Sequence, residues 1–349
     1  MNKLQRSQHG MSLMEALVAM LIAAIVLAAA TELVMKALQI TDLITVRAEL
    51  QQDGRAAMNS ILRDVSLSGT GIPVGGIQLP TGTGSTPSMF GCAAGSCFLK
   101  NHFFPDNHMY STLPDPNDGI VQQGSPDAIT LVYADKSLNL GTASSITASG
   151  SQITIPNVTG INIGDLIMLS NVHGSAVGMV TNVLSGSNSL VFANSDPLNI
   201  NQPNAANGNI ASLKDPGPGN IYPPTTATRI LLISYFLRQN AGPDGAFGSD
   251  DDNWQLVREV NGQKPVPVID GVENLQFSYD VYDDTAGSGA STLVTNTKDA
   301  NNTPNLIHKI NVVINVRSPR KTGPGKSFNH LTLAASVSPR NLSFRDRYK

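Results

Sequence analysis

Residues 11–35 read MSLMEALVAMLIAAIVLAAATELVM, and the reading of this stretch decides the fold. It is apolar for almost its whole length, and Glu15 is the single charge in its first twenty residues. A run of about 20 apolar residues makes a helix long enough to cross the roughly 30 Å hydrocarbon core of a bilayer. A carboxylate in such a helix costs about 2.5–3.5 kcal/mol at the bilayer centre and less toward the interface, so Glu15 calls for a partner or a task. Ahead of the run, residues 1–10 form a short leader with Lys3 and Arg6 and no acid.

Beyond Met35 the helical period continues while polarity rises. Leu43, Val46, Leu50, Ala57, Ile61 and Val65 recur at spacings of three, four and seven, which lines one apolar stripe along a helix. Asp42, Arg47, Glu49, Gln52, Arg55 and Asp64 are assigned to its other face. No proline occurs before Pro73. The pattern therefore predicts one helix from Ser12 to about Ser68, about 80 Å long at 1.5 Å per residue, with no proline kink. Gly54 is its weak point, costing about 1 kcal/mol relative to alanine.

The remainder reads as a strand-rich and loop-rich body. The chain has 349 residues with 31 glycines and 21 prolines, and only 14% of residues are charged. A net charge of −3 leaves no electrostatic footprint for nucleic acid across the whole chain. From Gly69 to about Asp127 nearly every stretch is turn chemistry, including GTGIPVGG, PTGTGSTPS and PDPNDG. Strand signals begin at AITLVYA and continue through ITASGSQITIP, GDLIMLSN, AVGMVTNVLSG and NSLVFAN. Their close spacing predicts a small β-barrel or sandwich inserted at about 145–195. A linker rich in Asn and Pro then leads to ATRILLISYFLRQ, WQLVREVNG, VPVIDGVENLQFSYDVYD, LIHKINVVINVRS and LTLAASVSPRNL. The expected fold class is α+β: a long N-terminal helix packed on an antiparallel sheet. The expected divisions are a leader at 1–10, a membrane or filament-core helix at 11–35, an amphipathic stalk at 36–68, a loop-rich region at 69–128 and a β-rich domain at 129–349.

Candidate chemistry is sparse. Cys92 and Cys97 in GCAAGSCF make a small-loop disulfide if the body is exported, since two thiols fall short of the four ligands of a structural zinc site. His102, Asp106 and His108 are zinc-type ligands close in sequence, but Pro105 intervenes and loop packing is the plainer role. In NAGPDGAFGSDDDNW, the residues Asp244, Asp250, Asp251, Asp252 and Asn253 gather hard oxygen donors on one glycine-punctuated turn, which suits Ca²⁺; a solvated acidic turn uses the same residues. GTGIPVGG follows no strand and holds Pro73, which argues against a phosphate cradle. No G-x-S-x-G elbow, H-E-x-x-H or Walker loop occurs, so the sequence points away from an enzyme. The C-terminal tail concentrates Arg317, Arg320, Lys321, Lys326, Arg340, Arg345, Arg347 and Lys349; this suits an acidic partner subunit better than DNA, because interleaved aromatics are few.

Gly10, Met11, Ser12, Leu13, Met14 and Glu15, followed by the apolar run, resemble the signal of type IV prepilins, in which the leader is cut after the glycine. The resemblance implies cleavage between Gly10 and Met11 by a prepilin peptidase and N-methylation of Met11, where the family usually has Phe. It makes Glu15 an assembly residue that neutralises the amino terminus of a neighbouring subunit in a filament core. An uncleaved signal anchor, with Glu15 at the membrane interface, is the plain alternative. QQDGRAAMNSILRDVSLSGTG, IDGVENLQFSYDV and LTLAASVSPRNL resemble stretches of PilW-like minor pilins, with Arg63 and Asp64 at the place of that group's closing helix pair. The implied function is a minor pilin of a type IV pilus, acting in assembly, priming or a tip complex, for adhesion and twitching motility. Its implied partners are other minor and major pilins, the prepilin peptidase, an inner-membrane assembly platform and, before assembly, membrane lipid. The implied location is the inner membrane, with a periplasmic body, and then the cell-surface pilus. A type II secretion pseudopilin, sharing the same helix and final strands, and a membrane-anchored ligand-binding or hydrolytic module are the competing readings.

Overall fold

The computed structural model describes residues 13–86, 108–114, 127–138, 140–194, 196–219, 221–242, 244–248, 252–282, 291–294, 304, 307–323 and 325–339. Gly10, Met11, Cys92, Cys97, His102, Asp106, Asp250, Asp251 and Arg340 to Lys349 lie outside these residues. A single helix, α1 (Leu13–Leu67), opens the chain and runs for 55 residues. Seventeen strands follow among the described residues. These are β1 (Ile77–Gln78), β2 (His108–Met109), β3 (Thr112–Pro114), β4 (Ile129–Ala134), β5 (Ser145–Ile146), β6 (Gln152–Thr154), β7 (Leu166–Asn171), β8 (Gly174–Met179) and β9 (Asn182–Leu184). They continue with β10 (Ser189–Val191), β11 (Thr226–Asn240), β12 (Asn253–Val260), β13 (Val266–Ile269), β14 (Val272–Tyr282), β15 (Ser291–Val294), β16 (Ile307–Arg317) and β17 (His330–Val337). Every strand pairing in the described sheets is antiparallel, as the α+β expectation requires.

Two compact units divide the chain: residues 1–52 with 318–329, and residues 53–317 with 330–349. In the first, α1 is joined to the hairpin tip 318–329 by Arg320 Nη2 to Asp42 Oδ1 at 2.5 Å and by Arg47 Nε to Asn329 Oδ1 at 3.2 Å.

In the second unit the spine is β11. Six of its 15 residues, Ile230–Tyr235, pair with β4 along one edge, while β7 and then β12 share the opposite edge end to end, because Ser234 pairs with both Thr130 and Glu259 and Ile230 with both Ala134 and Leu166. Where β12 turns away, Asn261 completes the ladder. Held at φ 53° and almost fully buried, it donates its N–H to the Leu232 carbonyl at 2.7 Å and accepts the Leu232 N–H on its side-chain oxygen at 2.9 Å. With β13 and β3 at the ends and β8 beside β7, this sheet has seven strands. At β4 both its faces are covered. All six residues of β4 are buried, so the alternation read in AITLVYA separates two packed faces rather than core from solvent. A second sheet runs β15-β14-β16-β17.

The insertion near 145–195 contains no closed barrel. Strands β5, β6, β10 and β9 form a small open sheet. Its Ile153, Leu190 and the adjacent Phe192 cluster with Ile167, Leu169 and Ala176 of the β7–β8 hairpin, which belongs to the large sheet. The result is two layers with open edges. A barrel would need β7 and β8 to pair with the small sheet; β7 pairs with β11 and β8 with β7 instead. The segment read as a linker is also packed: Leu198, Ile200, Ile210 and Leu213 are buried. The turn-rich stretch after the helix likewise donates Ile77, Leu79, Met109 and Leu113 to the core.

The apolar stripe of α1 is present, with Val46, Leu50, Ala57, Met58, Ile61 and Val65 buried. Gly54 lies on this stripe rather than being a mere weak point. A Cβ there would sit 3.0 Å from Leu333 Cδ1, 3.5 Å from Leu331 Cδ2 and 3.6 Å from Val316 Cγ2, so the glycine lets β16 and β17 approach the helix. Gly54→Ala should change stability by no more than about 1 kcal/mol, since the gain in helix propensity offsets the displacement of a flexible leucine tip. Gly54→Leu overpacks the contact and should cost about 1–3 kcal/mol or more. Urea midpoints of the two variants check this, and equal tolerance of both would contradict the close packing.

Candidate functional site

Most of the exposed apolar surface belongs to the first 32 residues of α1. From Leu13 to Ile44 nearly every side chain is exposed, among them Leu13 at 82%, Leu17, Leu21, Ile25, Leu33, Leu38 and Ile44. A helix apolar all round is built to be enclosed by lipid or by other helices. By length and composition it can cross a membrane. Several of its polar groups are satisfied within the helix. The hydroxyls of Thr31, Thr41 and Thr45 donate to the carbonyls of Leu27, Ala37 and Thr41, and Glu32 pairs with Lys36 at 2.6 Å. Glu15 differs: exposed in the first turn, it has no ion-pair partner among the described residues. Its place favours a negative charge, because the first turn of a helix presents unsatisfied N–H groups. The arrangement offers an apolar shaft with one carboxylate at its head.

The other end of the helix is held by a buried polar node. Asp64 is 5% exposed. Its Oδ1 accepts from the Tyr133 hydroxyl at 3.1 Å, and its Oδ2 accepts from the Tyr235 hydroxyl and Arg258 Nε, both at 2.7 Å. Ser60 Oγ lies 3.0 Å from the Tyr235 hydroxyl. One carboxylate thus ties α1 to three adjacent strands, β4, β11 and β12. Burial, reinforced by the Asp64 charge, pushes both phenols above their ordinary value, so they remain protonated donors. Burial opposes the charge on Arg258, but the bond to Asp64 outweighs it and raises its pKa further. The assignment of Asp64 to the solvated face is therefore corrected: it follows Ile61 by three residues and shares the buried stripe, while Arg63 is exposed. Below the node the helix stops at Ser68, whose hydroxyl donates to Ser111 O at 2.5 Å, and at Gly69, where φ of 77° suits glycine. Tyr133, Tyr235 and Arg258 carry no sequence signal linking them to Asp64, because they lie 69–194 residues away.

Each described carboxylate of the acidic turn has one oxygen bonded to the turn's own backbone, and Asp252 Oδ1 is buried without a hydrogen-bond partner among the described residues. Asp244 accepts from Ala246 N–H at 2.8 Å and Asp252 from Gly248 N–H at 2.5 Å. No cluster of three His, Cys, Asp or Glu residues suited to a metal occurs among the described residues. Titration with Ca²⁺ decides between the two readings of this turn: a concentration-dependent rise in melting temperature would show that a cation orders it, and an unchanged melting temperature would leave a solvated acidic turn. His108, in β2, stacks at 5.9 Å between ring centroids with Tyr110. Among the tail bases, Arg317 donates to the Asp252 carbonyl at 2.6 Å, while Arg320, Lys321 and Lys326 are grouped in the tip 318–329.

A family model described as the prokaryotic N-terminal methylation motif matches residues 5–31, a span that contains Gly10, Met11 and Glu15. No curated protein and no solved structure matches the chain. The chain thus carries a type IV pilin methylation signal at the head of a long apolar helix, and the two features together support a protein of the pilin or pseudopilin kind.

Proposed function

We propose that this chain is a minor pilin of a type IV pilus, of the PilW-like group. The observation that carries the reading is the methylation motif at 5–31 at the head of a helix whose surface is apolar and exposed through Ile44. In this account the helix anchors the subunit in the inner membrane, and a prepilin peptidase cuts after Gly10 and methylates Met11. The same helix then packs among those of other pilins in the filament core. Glu15 receives the amino terminus of a neighbouring subunit, which sets the axial register of the two helices. The rest of the chain, with its seven-stranded and four-stranded sheets, is large to repeat along a filament, which favours a low-copy or tip position.

A type II secretion pseudopilin would use the same helix and the same processing. Deletion of the gene separates the two. The minor-pilin reading expects loss of surface pili and twitching with secretion intact; intact pili with lost secretion would replace it with the pseudopilin.

A further inference from the structure

The unit formed by residues 1–52 and 318–329 distributes its charge unevenly. The tip reads SPRKTGPGKSFN, with three bases and no acid, and Arg320, Lys321 and Lys326 are exposed. It is a built element. Ser318 N–H donates to Asn329 O at 2.8 Å, Thr322 N–H to Ser327 O at 2.9 Å, and Asn329 Nδ2 to Thr322 Oγ1 at 2.6 Å. Lys321 Nζ stands 5.3 Å from the centroid of the Phe328 ring. The bonds from Arg320 to Asp42 and from Arg47 to Asn329 fix the tip at one level of the helix.

That level is informative. Asp42 lies seven residues past Met35, about 10 Å further along the axis at 1.5 Å per residue. With the apolar run 13–35 filling the hydrocarbon core, the tip sits at the outer side of a headgroup layer about 5–8 Å thick. An anionic surface is felt there, because the potential decays over about 8–10 Å at physiological salt. The neighbouring charges do not cancel the tip. Lys36 is paired with Glu32 and Arg320 with Asp42, and residues 32–52 hold two bases and three acids, so the tip and this stretch together keep a net +2.

We propose that the tip 318–329 is a docking surface for the headgroups of an anionic bilayer, used while the subunit is held in the membrane. The proposal rests on the membrane-anchored stage of the function above. Contact at this level fixes the depth and rotation of the helix, so that Glu15 is presented at a defined height to the subunit it joins. Assembly removes the helix from lipid, and the tip is released with it.

The test uses the full chain with a reporter on the tip, Gly325→Trp in a Trp254→Phe background. Gly325 is exposed and a Cβ added there meets nothing within 4 Å, so the indole can be carried without disturbing the hairpin. The protein is reconstituted into vesicles of phosphatidylcholine alone or mixed with phosphatidylglycerol, each carrying lipid brominated near the headgroup. Flotation with both kinds of vesicle reads the anchor separately from the tip; failure to float overturns the anchored stage itself. The expected result is quenching about threefold stronger in the anionic vesicles, reduced to the neutral level by high salt and by Lys321→Gln with Lys326→Gln. That pair of substitutions leaves the Arg320–Asp42 bond in place, so lost quenching reports lost charge rather than a detached tip. Equal quenching in both vesicles overturns the proposal. So does a tip that is unquenched by lipid yet retains a single-stranded oligonucleotide through the same two lysines, which assigns the bases to nucleic-acid phosphate instead.

Discussion

Glu15→Leu is expected to leave the chain cleaved and membrane-bound while cutting its share in sheared filaments by about two to three orders of magnitude. The size follows from the cost of an uncompensated charge in a low-dielectric core, about 3–5 kcal/mol for breaking a buried pair, and from a tenfold change for each 1.4 kcal/mol. Glu15 stands exposed in the first turn of the helix with no ion-pair partner among the described residues, so its loss breaks no described ion pair inside the subunit. Glu15→Asp keeps the charge but shortens the reach by one methylene, and should recover part of the incorporation. Immunoblots of sheared filaments against membrane fractions give the ratio. Normal incorporation of the leucine variant would remove Glu15 from the assembly role.

The second large effect concerns the other end of the helix. Asp64→Ala should lower the folding free energy by about 3 kcal/mol, because it strands the Arg258 guanidinium and two buried phenols together. Tyr133→Phe and Tyr235→Phe each remove one donor and should cost about 1 kcal/mol. Asp64→Ala combined with Arg258→Met should be less destabilising than the sum of the two single changes, since the second substitution removes the orphaned charge left by the first. Urea denaturation of the four single variants and the double variant measures the coupling. Strict additivity would show that the node is not a unit.

The helix was legible in sequence because its signals are local: an unbroken apolar run, a stripe with period 3.6 and no proline before Pro73. The antiparallel body was legible in its strands, and most of the quoted segments became β4 to β17. The node was not, since polarity alone placed Asp64 on the wrong face; its position three residues after Ile61 held the better signal. The tandem use of one β11 edge by β12 and β7 depends on pairings far apart in the chain. That leaves no trace within the continuous strand Thr226–Asn240. The Asn-rich stretch after β10 looked like a linker because it lacks any period. Its order comes from side chains bonding backbone: Asn201 bonds both the N–H and the carbonyl of Met179, Asp196 accepts from the N–H groups of Ile200 and Asn201, and the Asn209 side chain accepts from Ser212 N–H. Such bonds replace a strand ladder and let isolated apolar residues such as Leu198 and Ile210 reach the core.

Everything proposed for the first unit depends on how the chain begins after export. Intact-mass analysis with N-terminal sequencing, on protein from cells with and without prepilin peptidase, addresses this directly. The account predicts a chain beginning at N-methylated Met11 in the first case and at Met1 in the second; a chain beginning at Met1 in both would contradict it.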